Sequence, residues 1–203
     1  MANYLKINIA FKAPKEVESE IIKLSQEIGK KNVSYFILDG INFYPHITIY
    51  SSVFSESNLS KILEVAGGLI KKMNNVSFKY EGVGSGQGFI SLNFNCSNEI
   101  KKIHKELVEA LNPLREPLTE KDLSDYNMVF NEKQRQNILD YGYPDAMDLY
   151  VPHMTIIRLK DAQVADSIAK EIKWSINDFK ADNIVCYLMG DNGTCKQIIK
   201  DIK

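Results

Sequence analysis

The sequence predicts an α+β fold that is bilobal: two antiparallel sheets flanked by helices, pseudo-twofold related, around a central cleft. Three observations lead there. Period-two apolar alternation marks several short strands, and apolar stripes at helical spacing mark the segments between them. One short motif also occurs twice, as FYPHITIY at residues 43–50 and YVPHMTII at residues 150–157, with the same kinds of element after each copy.

The elements follow in order. Leu5, Ile7, Ile9 and Phe11 alternate with Lys6, Asn8, Ala10 and Lys12, which predicts a first strand. Pro14 suits the opening of a helix, whose apolar face is Val17, Ile21, Leu24 and Ile28. Strands are expected at 33–38 and 44–51, the second carrying the first motif. A helix at 57–73 places Leu59, Ile62, Leu63, Ala66, Leu69, Ile70 and Met73 at helical spacing. Residues 76–81 and 89–95 read as a hairpin around the glycine-rich EGVGSGQGF, with Ile90, Leu92 and Phe94 opposite Ser91, Asn93 and Asn95. A helix at 98–111 packs through Ile100, Ile103, Leu107 and Leu111.

Residues 112–148 differ in character. They are polar, contain Pro113, Pro117 and Pro144, and show no period apart from a short helix at 131–140. The second motif strand follows at 149–157, then a helix at 161–173, a strand at 180–189, a turn at GDNG and a last strand at 194–201. Each half therefore runs motif strand, helix, and two strands joined by a glycine-containing turn. The expectation is a single bilobal domain over 1–203, lobe one at about 1–96 and lobe two at about 97–203, with 112–148 as an insertion that could form a lid over the cleft.

Composition narrows the function. At 44% hydrophobic and 25% charged the chain is ordinary for a globular protein, and no run approaches the roughly 18 apolar residues of a membrane span. The alternating first residues do not read as a signal peptide. Cys96, Cys186 and Cys195 are odd in number and lack metal-site spacing, so a reducing, cytoplasmic setting is expected. A net charge of −1 argues against gripping long nucleic acid, and leaves small phosphorylated molecules or an RNA terminus as partners for an expected monomer. Arginine, whose planar fork suits phosphate, occurs only at Arg115, Arg135 and Arg158.

The repeated motif carries the chemistry. Side chains two apart on a strand share a face, about 6.6 Å apart at Cα. His46, Thr48 and Tyr50 thus share one face, and His153 and Thr155 another, with Ile47, Ile49, Met154 and Ile156 anchored behind them. One His-x-Thr is ordinary structure; two in matching positions point to catalysis or phosphate binding. In-line displacement at phosphorus needs a base on one side and an acid on the other, and imidazole serves in either role. Threonine hydroxyls can donate to the non-bridging oxygens. No metal is required, and two histidines without nearby Cys, Asp or Glu make a poor zinc site.

Other residues are less clear-cut. His104 lies beside a helix's apolar stripe without a companion and reads as structural. Tyr50 is either a substrate contact or a strand-end aromatic. Arg158, five residues past His153, would point away from the pocket on a regular strand. It reaches phosphate only if a bulge redirects it, and otherwise caps the sheet. Arg115 and Arg135 are either contacts from the polar segment or solvated loop residues. The GVGSGQG run lacks the spacing and strand-to-helix setting of a phosphate cradle and reads as a hairpin tip.

The pair His46-Ile47-Thr48-Ile49 and His153-Met154-Thr155-Ile156 resembles the 2H phosphoesterase superfamily, which includes 2′-5′ RNA ligase-like proteins and cyclic nucleotide phosphodiesterases. An arginine at Arg158 looks like a feature of many RNA-ligase-like members, and NEKQRQNILDYGYPDAMDLYVPHMTI is similar to a branch with YGYP ahead of the second motif. The resemblance implies that His46 and His153 form an acid–base pair, in an order left open, and that Thr48 and Thr155 hold the phosphate. The family hydrolyses 2′,3′-cyclic phosphates, cyclic ADP-ribose-type products, RNA ends or 2′-5′ linkages, usually without a metal. The leading expectation for this chain is metal-independent, cofactor-free hydrolysis of a 2′,3′-cyclic phosphate on a nucleotide or RNA end, with Tyr50 and Arg158 as candidate substrate contacts. Two alternatives stay open: a nucleotide- or RNA-end-binding module without turnover, and 2′-5′ RNA end-joining by the reverse reaction.

Overall fold

Ile7, Ile9 and Phe11 of the first strand, β1 (Tyr4–Lys12), are buried as their alternation requires. Asn8 and Ala10 are buried too, because this strand lies inside the sheet with both faces covered. In a computed structural model, residues 3–71, 76–124, 128–181 and 183–202 are described. The helices are α1 (Lys15–Gly29), α2 (Leu59–Ile70), α3 (Asn98–Leu111), α4 (Glu120–Ser124), α5 (Glu132–Tyr141) and α6 (Ala162–Glu171). The remaining strands are β2 (Ser34–Ile37), β3 (Ile47–Ser55), β4 (Ser77–Gly86), β5 (Phe89–Phe94), β6 (His153–Leu159), β7 (Asp178–Lys180), β8 (Asn183–Met189) and β9 (Cys195–Asp201). The expected helical position of Met73 lies outside the described residues.

The fold is α+β, and its ladders are antiparallel. The strands form one path, β7-β4-β5-β6-β3-β1-β8-β9, with β2 also paired to β6. The two expected sheets are therefore the two wings of one path, joined between β3 and β6 by the single pair Ile47↔Met154. The wings do not divide the chain near residue 96. Strands β8 and β9 extend the wing of β1 and β3, while β4 and β5 lie beside β6. The hairpin after each motif strand lies on the other motif strand's wing, while α6, the helix after β6, stays on the β6 wing.

Helices α1 and α6 pack on the β6 wing and α3 on β3, enclosing one apolar core that runs under both wings. The opposite face carries a small second cluster of Ala10, Val185, Tyr187 and Cys195, with Tyr44 against it. Both motif strands begin later than their alternation suggests. Pro45 and Pro152 cannot donate to a ladder, and the Tyr44 amide donates instead to the Cys195 carbonyl at 3.0 Å. The glycine-rich segment, expected as a loop, is strand up to Gly86. The tip is only Gln87 and Gly88, with φ of 51° and 85°, a two-residue turn whose twist suits a hairpin.

Beyond Thr48 one edge of β3 has no strand partner among the described residues, and residues 104–150 satisfy it. The Tyr150 hydroxyl donates to the Thr48 carbonyl at 2.8 Å, His104 Nδ1 to the Ile49 carbonyl at 2.6 Å, and the Glu116 amide to the Val53 carbonyl at 2.8 Å. Exposed edges invite foreign strands, so this cover is structural in purpose. Helix α5 starts on an Asn131–Gln134 capping box and ends at Gly142, with φ of 75°, where a Cβ would lie 2.0 Å from Ser52 Oγ. Among the described residues, no helix is long and apolar enough to cross a membrane.

His104 is structural, as expected. It also accepts from the Met147 amide at Nε2 (2.8 Å) and stacks on Tyr150 at 3.9 Å. Burial pushes its pKa down to about 4, partly offset by the bond to the Ile49 carbonyl. It stays neutral in the fold, while the unfolded chain takes up a proton below its ordinary value of 6.5, so its contribution to stability is lost as pH falls from 6.5 to 4. We expect His104→Leu, which orphans one carbonyl and one amide, to cost about 2–4 kcal/mol at pH 7 in urea unfolding. The drop in stability between pH 7 and pH 4.5 should be smaller in that variant than in the wild type.

Candidate active site

Ile47 and Met154 point into the core, so their neighbours on each strand face the other way, into the cleft. Continuing the antiparallel register by one residue in each direction sets His46 beside Thr155 and Thr48 beside His153. The two histidines are then diagonal neighbours, at a typical separation of about 7–8 Å at Cα. All four side chains are half-buried. The sequence-predicted imidazoles and hydroxyls are thus brought together from remote parts of the chain.

The two rings are held alike. His46 Nδ1 bonds the Tyr44 carbonyl and His153 Nδ1 the Val151 carbonyl, each two residues back and each at 2.9 Å. A carbonyl only accepts, so Nδ1 carries the proton and Nε2 is left as the basic nitrogen. Burial pushes the His46 pKa down to about 4; the bond to Tyr44 opposes this and the nearby His153 charge adds to it. The Tyr187 ring backs His46 at 6.2 Å between centroids.

Register shifts explain what else faces the cleft. Ala10 pairs with Thr48 and Ile9 with Tyr50, which leaves Ile49 as an extra residue on β3. Ser91 pairs with Thr155 and Ile90 with Ile157, which leaves Ile156 as the extra residue on β6. Both motif strands therefore bulge at the motif's fourth residue, and the bulge reverses the faces beyond it. Tyr50 consequently turns into the core, 0% exposed, with its hydroxyl on the Tyr141 carbonyl at 2.7 Å. The expectation that Tyr50 meets substrate is corrected: it is a packing residue.

The same reversal brings Ser51 and Arg158 onto the cleft face. Arg158 is buried between Tyr35 and Phe89, its guanidinium carbon 4.8 and 4.5 Å from their ring centres. It donates from Nη1 to Asn192 Oδ1 at 2.5 Å and from Nε to the Gln87 carbonyl at 3.3 Å, tying the β4–β5 tip to the β8–β9 turn. Arg115 is taken up by Asn112, Glu116 and Leu139, and Arg135 pairs with Glu120 on the surface, so neither serves the cleft.

Sequence reasoning missed Asn8. Fully buried, it donates from Nδ2 to Thr48 Oγ1 at 2.9 Å, which occupies a lone pair and turns the threonine's own proton toward the cleft. On the His153 side, Asn93 pairs directly with His153 and Ser91 with Thr155. A pocket of about 290 Å³ opens there, lined by Gly84, Ser85, Ser91, Asn93, Asp145 and His153 among others. A larger cavity of about 590 Å³, around Val33, Lys160 and Val164, lies past the far end of β6 from His153 and is not part of the site. Among the described residues no group of three or more His, Cys, Asp or Glu is placed to hold a metal ion.

A family model described as "Protein of unknown function (DUF1045)" matches residues 52–186, more than half of the chain. The chain belongs to the DUF1045 family. No curated protein matches it in sequence. Among solved structures this DUF1045 chain is similar to LigT of E. coli complexed with phosphate, at 11% identity over 98% of this chain and 96% of that one, with a TM-score of 0.53. LigT complexed with 3′-AMP aligns at 12% identity over 98% and 97%, with a TM-score of 0.52. TT0787 of Thermus thermophilus aligns at 12% identity over 97% and 96%, with a TM-score of 0.56. At these identities the likeness establishes a shared fold.

Two outcomes follow for this site. In ¹⁵N-resolved NMR titration, His46 should carry its proton on Nδ1 at pH 7 and ionise near pH 4, below its ordinary value of 6.5. Tyr50→Phe should cost about 1–2 kcal/mol of stability in thermal or urea unfolding, as expected for a packing residue that loses its bond to the Tyr141 carbonyl.

Proposed function

We propose that this chain is a 2H-type phosphoesterase that opens a 2′,3′-cyclic phosphate on a nucleotide or RNA end without a metal. One observation carries this reading. Two imidazoles, each fixed through Nδ1 to the carbonyl two residues back and so left with Nε2 as the basic nitrogen, flank one strand junction. The fold shared with LigT, a protein whose structures hold phosphate and 3′-AMP, agrees with a phosphate seat at this junction.

The mechanism assigns one role to each ring. His46, neutral down to about pH 4, acts as the base: Nε2 takes a proton from water as the water oxygen bonds to phosphorus. His153 enters the step as the imidazolium, Nδ1–H on the Val151 carbonyl and a second proton on Nε2, and gives that Nε2 proton to the departing ribose oxygen as its bond to phosphorus breaks. The two rings end with their protons exchanged, and solvent restores them. Thr48, its hydroxyl turned by Asn8, and Thr155 donate to the non-bridging oxygens, where charge gathers in the transition state. Arg158 holds the two loops that flank the β6 side, so its part is to position and not to touch phosphate.

The test is turnover of nucleoside 2′,3′-cyclic monophosphates in EDTA. Wild-type turnover should be insensitive to EDTA, and His46→Ala and His153→Ala should each lower kcat by about 10²–10⁴-fold. Equal turnover in wild type and both variants would refute the mechanism, and tight nucleotide binding without product would make the chain a binding module.

A further inference from the structure

We propose that the 290 Å³ pocket beside His153 selects the ester arm of the substrate: it takes one small, donor-bearing, non-anionic nucleoside group and rejects a second phosphate. This rests on the phosphate seat proposed above and adds to it which part of the substrate lies on the His153 side. The pocket joins two parts of the chain that the motif does not include. Its floor is the β4–β5 hairpin, and its outer wall comes from Asp145, near the end of the insertion, with Leu149 and Val151 just past it.

The floor is specific. Asn93 stands directly across from His153, and its amide lies over Gly84, where a Cβ would come within 2.8 Å of Nδ2. Any larger residue at position 84 displaces that amide, so one glycine of the GVGSG run is explained by the pocket it leaves open. Asn93 Oδ1 accepts from Ser91 Oγ at 3.4 Å, which turns Nδ2 to the outside as a donor.

The wall sets the charge preference. Asp145 is the only carboxylate among the described lining residues. Gln134 Nε2 holds its Oδ1 at 2.9 Å, which fixes the carboxylate and leaves Oδ2 to accept from a ligand hydroxyl or amine. An anionic group brought to the same place meets a fixed like charge in a partly water-excluded setting, which costs affinity. The volume lies at the bottom of the range for small-molecule sites, which suits a single nucleoside and not a strand.

The experiment measures binding with ligands that cannot turn over, so it stands apart from the catalytic test. Adenosine 3′-monophosphate and adenosine 3′,5′-bisphosphate are titrated calorimetrically into the full chain, its Asp145→Asn variant and an Asp148→Asn control. Asp148 is exposed beside Lys133 at 3.7 Å. Asp145→Asn keeps the Oδ1 acceptor for Gln134, so the wall survives the change. Wild type and Asp148→Asn should bind the monophosphate about tenfold more tightly than the bisphosphate, and Asp145→Asn should narrow the gap to about threefold or less. Equal or tighter binding of the bisphosphate by wild type, a preference that persists in Asp145→Asn, or failure of the monophosphate to bind would overturn the proposal.

Discussion

A single rung of β-ladder organises this molecule. Ile47 and Met154 meet across β3 and β6, and among the described residues that pair is the only strand pairing between the two motif strands. Each side chain is fully buried, a contribution of about 1.5–3 kcal/mol apiece. Their burial is what fixes the neighbouring side chains on the opposite face. An antiparallel pair centred on the second residue of each motif makes the motifs face each other in opposite sense. Each histidine then finds the other strand's threonine beside it without any further device.

Having only one rung has a cost that the rest of the chain meets. Past the junction the edge of β6 that met β3 pairs with β2, while β5 runs along its other edge throughout, and β3 is left with carbonyls that need donors. These come from Tyr150, His104 and Glu116. Of these only Glu116 belongs to the polar segment 112–148; His104 comes from α3 and Tyr150 from the second motif. Among the described residues the segment borders the pocket at Asp145, with Leu149 and Val151 just beyond it. The motif histidines and His104 differ in one respect: among the described residues His104 has protein partners on both ring nitrogens, whereas the two motif rings are held through Nδ1.

Much of this was legible in the residues. The helices α1, α3 and α6, the last strand and the two motifs were readable because local periodicity and burial agree there. The assignment of hairpins to wings was not, because pairing between β1 and β8 joins residues far apart in sequence and leaves no local trace. The bulges were invisible for a different reason: Ile49 and Ile156 continue the apolar pattern as any strand residue would, so parity alone misplaced Tyr50. Parity for Arg158 failed at the same kind of point, where the shift had to be allowed for and could not be located. Asn8 occupied a position that alternation assigns to solvent; only the second packed face of β1 makes it an inside residue.

The crossed wings also bear on how the molecule comes into being. Strand β1 is made first, yet one of its two ladders cannot form until residues 183–189 have been synthesised. For most of translation the His46 wing therefore presents an open edge of β1, a template that another nascent chain could occupy. The β6 wing also waits for β6 itself, but its β4–β5 hairpin can close within a short stretch of chain. The half of the molecule that holds Asn8, Thr48 and His46 is thus the last to be completed and the one most in need of shelter while the ribosome is still at work.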